Sequence, residues 1–204
     1  DLGLATDNAV KAATYLAQVC KDILPKSVLG NDGFGEIENL FNTGKAAAVI
    51  NGPWVVDPYK KSGINFGIVP LPKMPNGKDM TSFLGVRGYV ISNWTKEQKA
   101  AQEFINFLNQ PEYALDRFEK TTEIPPIKSL MNSKTIQTDP YAAAFAEQAL
   151  RSYPMPSIPE MSEVWVPMDS SLQLAYNGKM SVKDALDNAV KQIESQIEAF
   201  RSQM

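Results

Sequence analysis

The 204-residue sequence predicts an α/β fold. Three observations carry that reading. Amphipathic helical runs alternate with short apolar extended runs. Most runs are bounded by a cap, a glycine or a proline. The chain is 44% hydrophobic and 21% charged, which suffices to bury a substantial core in one large domain or two small ones.

Thr6-Asp7-Asn8 can cap a first helix with Val10, Leu16, Val19, Cys20 and Ile23 on or near one face. Cys20 therefore reads as core packing. A short helix follows with Ile37, Leu40 and Phe41, and it stops at Thr43-Gly44. Ala46–Ile50 is a strand-type run ended by Asn51-Gly52-Pro53, and Asn65–Val69 is a second. Pro75-Asn76-Gly77 is a turn, and Phe83–Ile91 is a third extended run interrupted by Gly85 and Gly88. Thr95-Lys96-Glu97-Gln98 has a capping-box pattern ahead of a helix carrying Ala101, Phe104, Ile105 and Leu108. Trp94 would staple onto that helix.

Pro111 opens the next helix, with Tyr113, Leu115 and Phe118. Glu123–Lys128 contains Pro125-Pro126 and is an extended loop. Asp139-Pro140 caps an alanine-rich helix reaching about Leu150. The proline-rich Tyr153–Pro159 is an ordered loop. A helix from about Glu160 to Tyr176 follows, with a kink or break near Val166 caused by Pro167 and a stop at Asn177-Gly178. Ser181-Val182-Lys183-Asp184 caps the last helix, whose stripe is Val182, Leu186, Ala189, Val190, Ile193, Ile197 and Phe200.

Composition removes several function classes. There are 20 basic and 23 acidic residues and no histidine. Without a basic excess, nucleic-acid binding lacks its usual electrostatic drive. Without an imidazole, Ser-His-Asp and Cys-His catalysis and most zinc sites are excluded. One cysteine excludes an internal disulfide and a CxxC site. No catalytic motif, metal-ligand set or cofactor motif is found. No apolar run approaches a membrane span, and no signal peptide is present. A start at Asp1 without a methionine fits a mature or excised soluble segment. Asn31-Asp32-Gly33-Phe34-Gly35 lacks the lysine of a phosphate loop and reads as a turn.

The aromatic residues are more informative. Trp54 follows a strand and an Asn-Gly-Pro turn, at a strand end where open α/β sheets bind ligands. Trp165 stands in the first turns of a helix, after the loop holding Tyr153 and Met155. Flat aromatic faces suit the C–H face of a sugar ring. Core packing is the alternative for both tryptophans. Arg87, between two glycines, is either a ligand contact or a surface arginine.

Phe41-Asn42-Thr43-Gly44-Lys45, Ala48-Val49-Ile50-Asn51-Gly52-Pro53-Trp54 and Gly63–Pro72 together resemble the C-terminal half of maltose/maltodextrin-binding proteins of ABC importers. Phe83-Leu84-Gly85-Val86, Pro154–Met161 with Trp165, and Asn177–Leu186 continue the pattern, collinear over the chain. The resemblance implies the type II periplasmic-binding-protein fold and a two-lobed protein closing on an oligosaccharide. It implies 1–82 as the first part of the C-terminal lobe, 83–88 as a hinge crossing with Gly85 and Gly88, 89–134 as an N-terminal-lobe segment, and 135–204 as the rest of the C-terminal lobe. Trp54 and Trp165 match the sugar-stacking tryptophans, and Tyr153 and Met155 border the site. The pattern departs at Val166, where a tyrosine is common, and at Asp169, where a basic residue is common. Longer maltodextrins, cyclodextrins or another disaccharide therefore stand beside maltose as ligands.

The implied partners are the sugar, ABC permease subunits in the membrane and a companion N-terminal half. That companion would cover Phe104, Ile105 and Leu108. The implied location is extracytoplasmic, in the periplasm or on a cell-surface lipoprotein. A carboxylate-pair glycosidase and an isolated lobe acting as a scaffold are the alternatives.

Overall fold

The structure is a computed structural model that describes residues 2–29 and 33–202. Among these residues the helices are α1 (Asp7–Ile23), α2 (Gly33–Asn42), α3 (Val56–Ser62), α4 (Gln98–Leu108), α5 (Pro111–Thr121), α6 (Lys134–Thr138), α7 (Ala142–Leu150), α8 (Trp165–Tyr176) and α9 (Val182–Arg201). One parallel pair of strands, β1 (Phe83–Leu84) and β2 (Tyr153–Pro154), is formed, with Phe83 opposite Tyr153 and Leu84 opposite Pro154.

The helix ends follow the local chemistry. The Thr6 side chain accepts the Ala9 N–H, and the Ser181 hydroxyl accepts the Asp184 N–H at 3.1 Å. One Asp139 carboxylate oxygen accepts from the Tyr141 and Ala142 N–H groups at 2.9 and 2.7 Å, opening α7. Each bond satisfies a donor the helix itself leaves unpaired. Gly44 and Gly178 stop α2 and α8 with left-handed φ of 70° and 68°.

Several expectations are corrected. Neither Ala46–Ile50 nor Asn65–Val69 forms a strand, and the run to Ile91 is a strand only at Phe83–Leu84. The period-2 signal is real, since Ile64, Phe66, Ile68 and Pro70 are partly buried while Asn65, Gly67 and Val69 are exposed. A strand also needs neighbours for its backbone groups. Among the described residues no strand lies beside these runs.

Thr95 does not cap α4. Its hydroxyl accepts the Glu97 N–H instead, and the helix starts at Gln98. Trp94 thus falls ahead of the position a staple requires, and it is 93% exposed. The break before α8 comes earlier than Val166, where a 3-10 segment (Pro159–Val164) passes into the α-helix. Pro167 is the third residue of α8, where a missing N–H costs nothing. Gly33, Phe34 and Gly35 open α2 rather than forming a turn, and Asn31 and Asp32 lie outside the described residues. Helices α3 and α6 were not anticipated.

The chain divides into two compact units, residues 1–40 with 156–204 and residues 41–155. In the first, α8 and α9 pack along each other and both touch α1. Their facing sides bury Ala13, Cys20, Ser171, Ala185, Leu186, Ala189 and Ile193. The second has two cores. Phe41, Val55 and Tyr59 pack with Val49, Ile64 and Phe66, while Phe118, Leu130 and Ile136 pack with three buried alanines of α5 and α7. Aromatic rings extend the first of these from Phe41 through Tyr59 and Phe66 to Tyr141, with centroids 4.8, 5.5 and 5.0 Å apart.

Helix α4 is the exception. None of its residues is buried, and Phe104 is exposed. Its apolar stripe meets the start of α5, where Phe107 and Tyr113 rings lie 4.1 Å apart.

Candidate functional site

Trp54 sits in the second unit, in a 3-10 turn (Pro53–Val55) that leads directly into α3. Val55 and Val56 are buried and anchor this turn, whereas the Trp54 ring is 62% exposed. Its ring lies back over Gly52. A Cβ at Gly52 would stand 2.3 Å from two ring carbons, far inside contact distance. The glycine of the Asn-Gly-Pro-Trp run is therefore room for an indole. Sequence reasoning read that glycine as a turn residue only. Its placement two positions before a tryptophan was the available signal.

Tyr153 opens β2 and Met155 directly follows it, in the same unit. The Tyr153 N–H donates to the Ser82 carbonyl at 3.0 Å, and the Met155 N–H donates to the Leu84 carbonyl at 3.2 Å. Both side chains face solvent, as does Arg87. Gly85 and Gly88 follow β1 in exposed, unladdered chain, and a Cβ at either would meet nothing within 4 Å. The structure thus brings Tyr153 and Met155 against the start of the 83–88 segment. Trp54 stands on a separate segment of that unit.

Trp165 belongs to the first unit, as the first residue of α8, and is half exposed. The 3-10 segment before it has no buried residue. It is tied to the end of α9 by Arg201, whose Nε and Nη2 donate to one Glu160 oxygen at 3.0 and 2.8 Å. A hydrogen bond from its own backbone N–H, then the Arg201 guanidinium, holds the Glu160 carboxyl below the ordinary carboxylate value.

A groove of about 430 Å³ lies elsewhere in the second unit, between Ile68, Pro70, Asn132, Gln137 and Glu147. It is lined by no aromatic side chain and by none of the sequence-predicted residues, so it does not suit sugar stacking. Among the described residues no cluster of His, Cys, Asp or Glu could hold a metal ion. Among the described residues no helix is long and apolar enough to cross a membrane.

Residues 1–144 match the family model described as bacterial extracellular solute-binding protein. The chain belongs to that family. Among relatives, the galactooligosaccharide-binding protein of Bacillus subtilis is 43% identical over 203 residues, which is 99% of this chain and 48% of the relative. The maltodextrin-binding protein MdxE of the same species is 33% identical over 97% of this chain and 48% of its own length. Among solved structures, a cyclo/maltodextrin-binding protein complexed with maltotetraose superposes with a TM-score of 0.86 at 41% identity, covering 96% of this chain and 50% of that one. The maltose-binding MalE of Listeria monocytogenes, in complex with maltose, gives 0.90 at 32% identity, covering 98% of this chain and 52% of that one.

The fold is therefore the type II fold of the periplasmic maltose-binding proteins. This chain spans about half the length of the relatives it matches.

Proposed function

We propose that this chain is the C-terminal half of the oligosaccharide-binding component of an ABC importer. One observation carries the reading: on a fold shared with sugar-binding proteins, Trp54 and Trp165 each keep an indole exposed at an anchored helix start. Each presents a flat apolar face to a sugar ring, with Tyr153, Met155 and Arg87 as further contacts. The relatives named for galactooligosaccharide and maltodextrin, and the structure holding maltotetraose, support an oligosaccharide as the ligand class.

The companion N-terminal half, the permease subunits and an extracytoplasmic location belong to the same proposal. So does the lobe division 1–82, 89–134 and 135–204, with 83–88 as the crossing and Gly85 and Gly88 as its bends. The exposed stripe of α4 supports the companion, because an unburied apolar face of that kind asks for cover. Binding shifts the complete protein toward a closed form that engages the permease. The relatives named above are binding proteins, which supports a sugar that is carried and not cleaved.

The test is calorimetric titration of the complete two-lobed protein with maltotetraose and with a galactooligosaccharide. Trp54→Ala and Trp165→Ala each weaken binding by roughly 1–3 kcal/mol, from stacking and burial together. Unchanged affinity in both variants removes the assigned site. Shortened sugar among the recovered products removes the non-enzymatic reading.

A further inference from the structure

Tyr153 and Met155 pose a mechanical problem. Their strand pairs with β1 over two residues only. Their side chains are 69% and 40% exposed, so no core holds them. A two-residue pairing in water does not hold itself.

A polar network beside it does the holding. Gln148, in the last turn of α7, uses both ends of its amide. Its Nε2 donates to the Met80 carbonyl at 3.2 Å, and its Oε1 accepts the Leu71 N–H at 3.0 Å. Leu71 offers a donor there and Met80 an acceptor, which fixes the amide's orientation. The Gln148 backbone carbonyl accepts the Ser152 hydroxyl at 2.8 Å. That hydroxyl lies 2.8 Å from the hydroxyl of Ser82. Arg151, one residue before Ser152, pairs with Asp79 at 3.1 Å and with Glu147. The 71–82 segment is thus clamped to the end of α7 immediately ahead of the β1–β2 pair.

We propose that Gln148 is a positioning residue for the sugar-contacting segment Tyr153–Met155, its side-chain amide holding the Leu71 and Met80 backbone, and with it Ser82, beside Ser152 at the end of α7. The proposal rests on the site reading above. No shorter or singly functional side chain does the same work. Glutamate keeps the Leu71 bond but has no donor for Met80, and alanine has neither.

The experiment titrates the complete two-lobed protein with maltotetraose and with a galactooligosaccharide. Gln148→Ala, Gln148→Glu and Ser82→Ala are each combined with Tyr153→Ala, and unfolding midpoints are recorded alongside. Gln148→Ala lowers affinity roughly fivefold, the equivalent of one net hydrogen bond. It lowers affinity little further once Tyr153 is already alanine. Gln148→Glu recovers part of the loss, and Ser82→Ala gives a smaller one and serves if the Gln148 variants fail to fold.

Full additivity with Tyr153→Ala makes the role merely structural and overturns the proposal. Unchanged affinity in the Gln148 and Ser82 variants, beside a loss in Tyr153→Ala, also overturns it and leaves the site reading standing. Unchanged affinity in Tyr153→Ala overturns the assignment of that residue and this proposal with it.

Discussion

Replacing Gly52 by alanine separates the stability of the Trp54 turn from its function. The backbone at Gly52 has φ −112° and ψ 178°, extended geometry that alanine adopts freely. Loss of unfolded-state freedom alone would stabilise the protein by about 0.4–1 kcal/mol. Against this, the new Cβ would lie 2.3 Å from the Trp54 Cη2 and Cζ3 atoms. Carbon contacts relax at about 3.5–4.0 Å, so the indole must swing outward by more than an ångström. The ring is 62% exposed and has space to do so. An off-rotamer displacement costs about 0.5–1.5 kcal/mol, nearly offsetting the gain.

Global stability therefore changes by less than about 1 kcal/mol, while the indole leaves its place. If stacking on a sugar is lost with it, about 0.5–1.5 kcal/mol disappears from binding, roughly two- to twelvefold in Kd. Trp94→Phe with Trp165→Phe leaves Trp54 as the only emitter of the three tryptophans. In that background Gly52→Ala shifts the emission maximum, and calorimetry on the complete protein shows the weaker binding. Unaltered emission and affinity, with a lowered unfolding midpoint, would show that the strain went into the backbone and refute the reasoning.

Other predictions concern the first unit. Ile193 is fully buried on α9, and Ile193→Ala costs about 2–5 kcal/mol in denaturant unfolding; a loss under 1 kcal/mol would mean that the site collapses around the deletion. Glu160 has its carboxyl lowered from an ordinary 4.5, so its contribution is present above that value and fades as pH falls through the lower native one. Arg201→Ala moves the Glu160 titration, followed by NMR, back toward the ordinary value. Burial first, then Cys20 and Asp169, pushes the Tyr176 phenol from 10 up to about 12. The folded state then holds that proton more tightly, so stability is fully present below pH 10 and declines as pH rises toward 12. Tyr176→Phe removes this alkaline slope, and an absorbance titration at the phenolate band reads it directly.

What the sequence disclosed depended on whether the cause was local. Thr6 and Ser181 cap their helices by accepting an N–H three residues on, and Asp139 accepts N–H groups two and three residues on although the cap position of α7 is Tyr141, so these local bonds were legible. Cys20 and the α9 stripe through Ile193 were equally plain, because helical periodicity records which face is buried. The runs at Ala46–Ile50 and Asn65–Val69 carried the right alternation and still form no strand, since a ladder depends on a neighbour that no local pattern reports. Thr95 had the right cap chemistry, but its hydroxyl closed a shorter turn on Glu97. The site divides the same way. Trp54 and Trp165 stood out as aromatics beside turn signals. Gln148 and Ser82 did not, because their bonds join residues about 70 positions apart.

That separation has a kinetic consequence. Ser82 and Ser152 are 70 positions apart, and bringing such distant points together from an open chain costs about 4 kcal/mol in closure entropy. Each backbone bond of the short β1–β2 pair returns only about 1 kcal/mol. The pairing therefore cannot nucleate folding of its unit. It waits until α5, α6 and α7 have condensed around Phe118 and Ile136 and shortened the remaining search. Tyr153 and Met155 are among the last residues to reach their native positions. On heating they are among the first to leave.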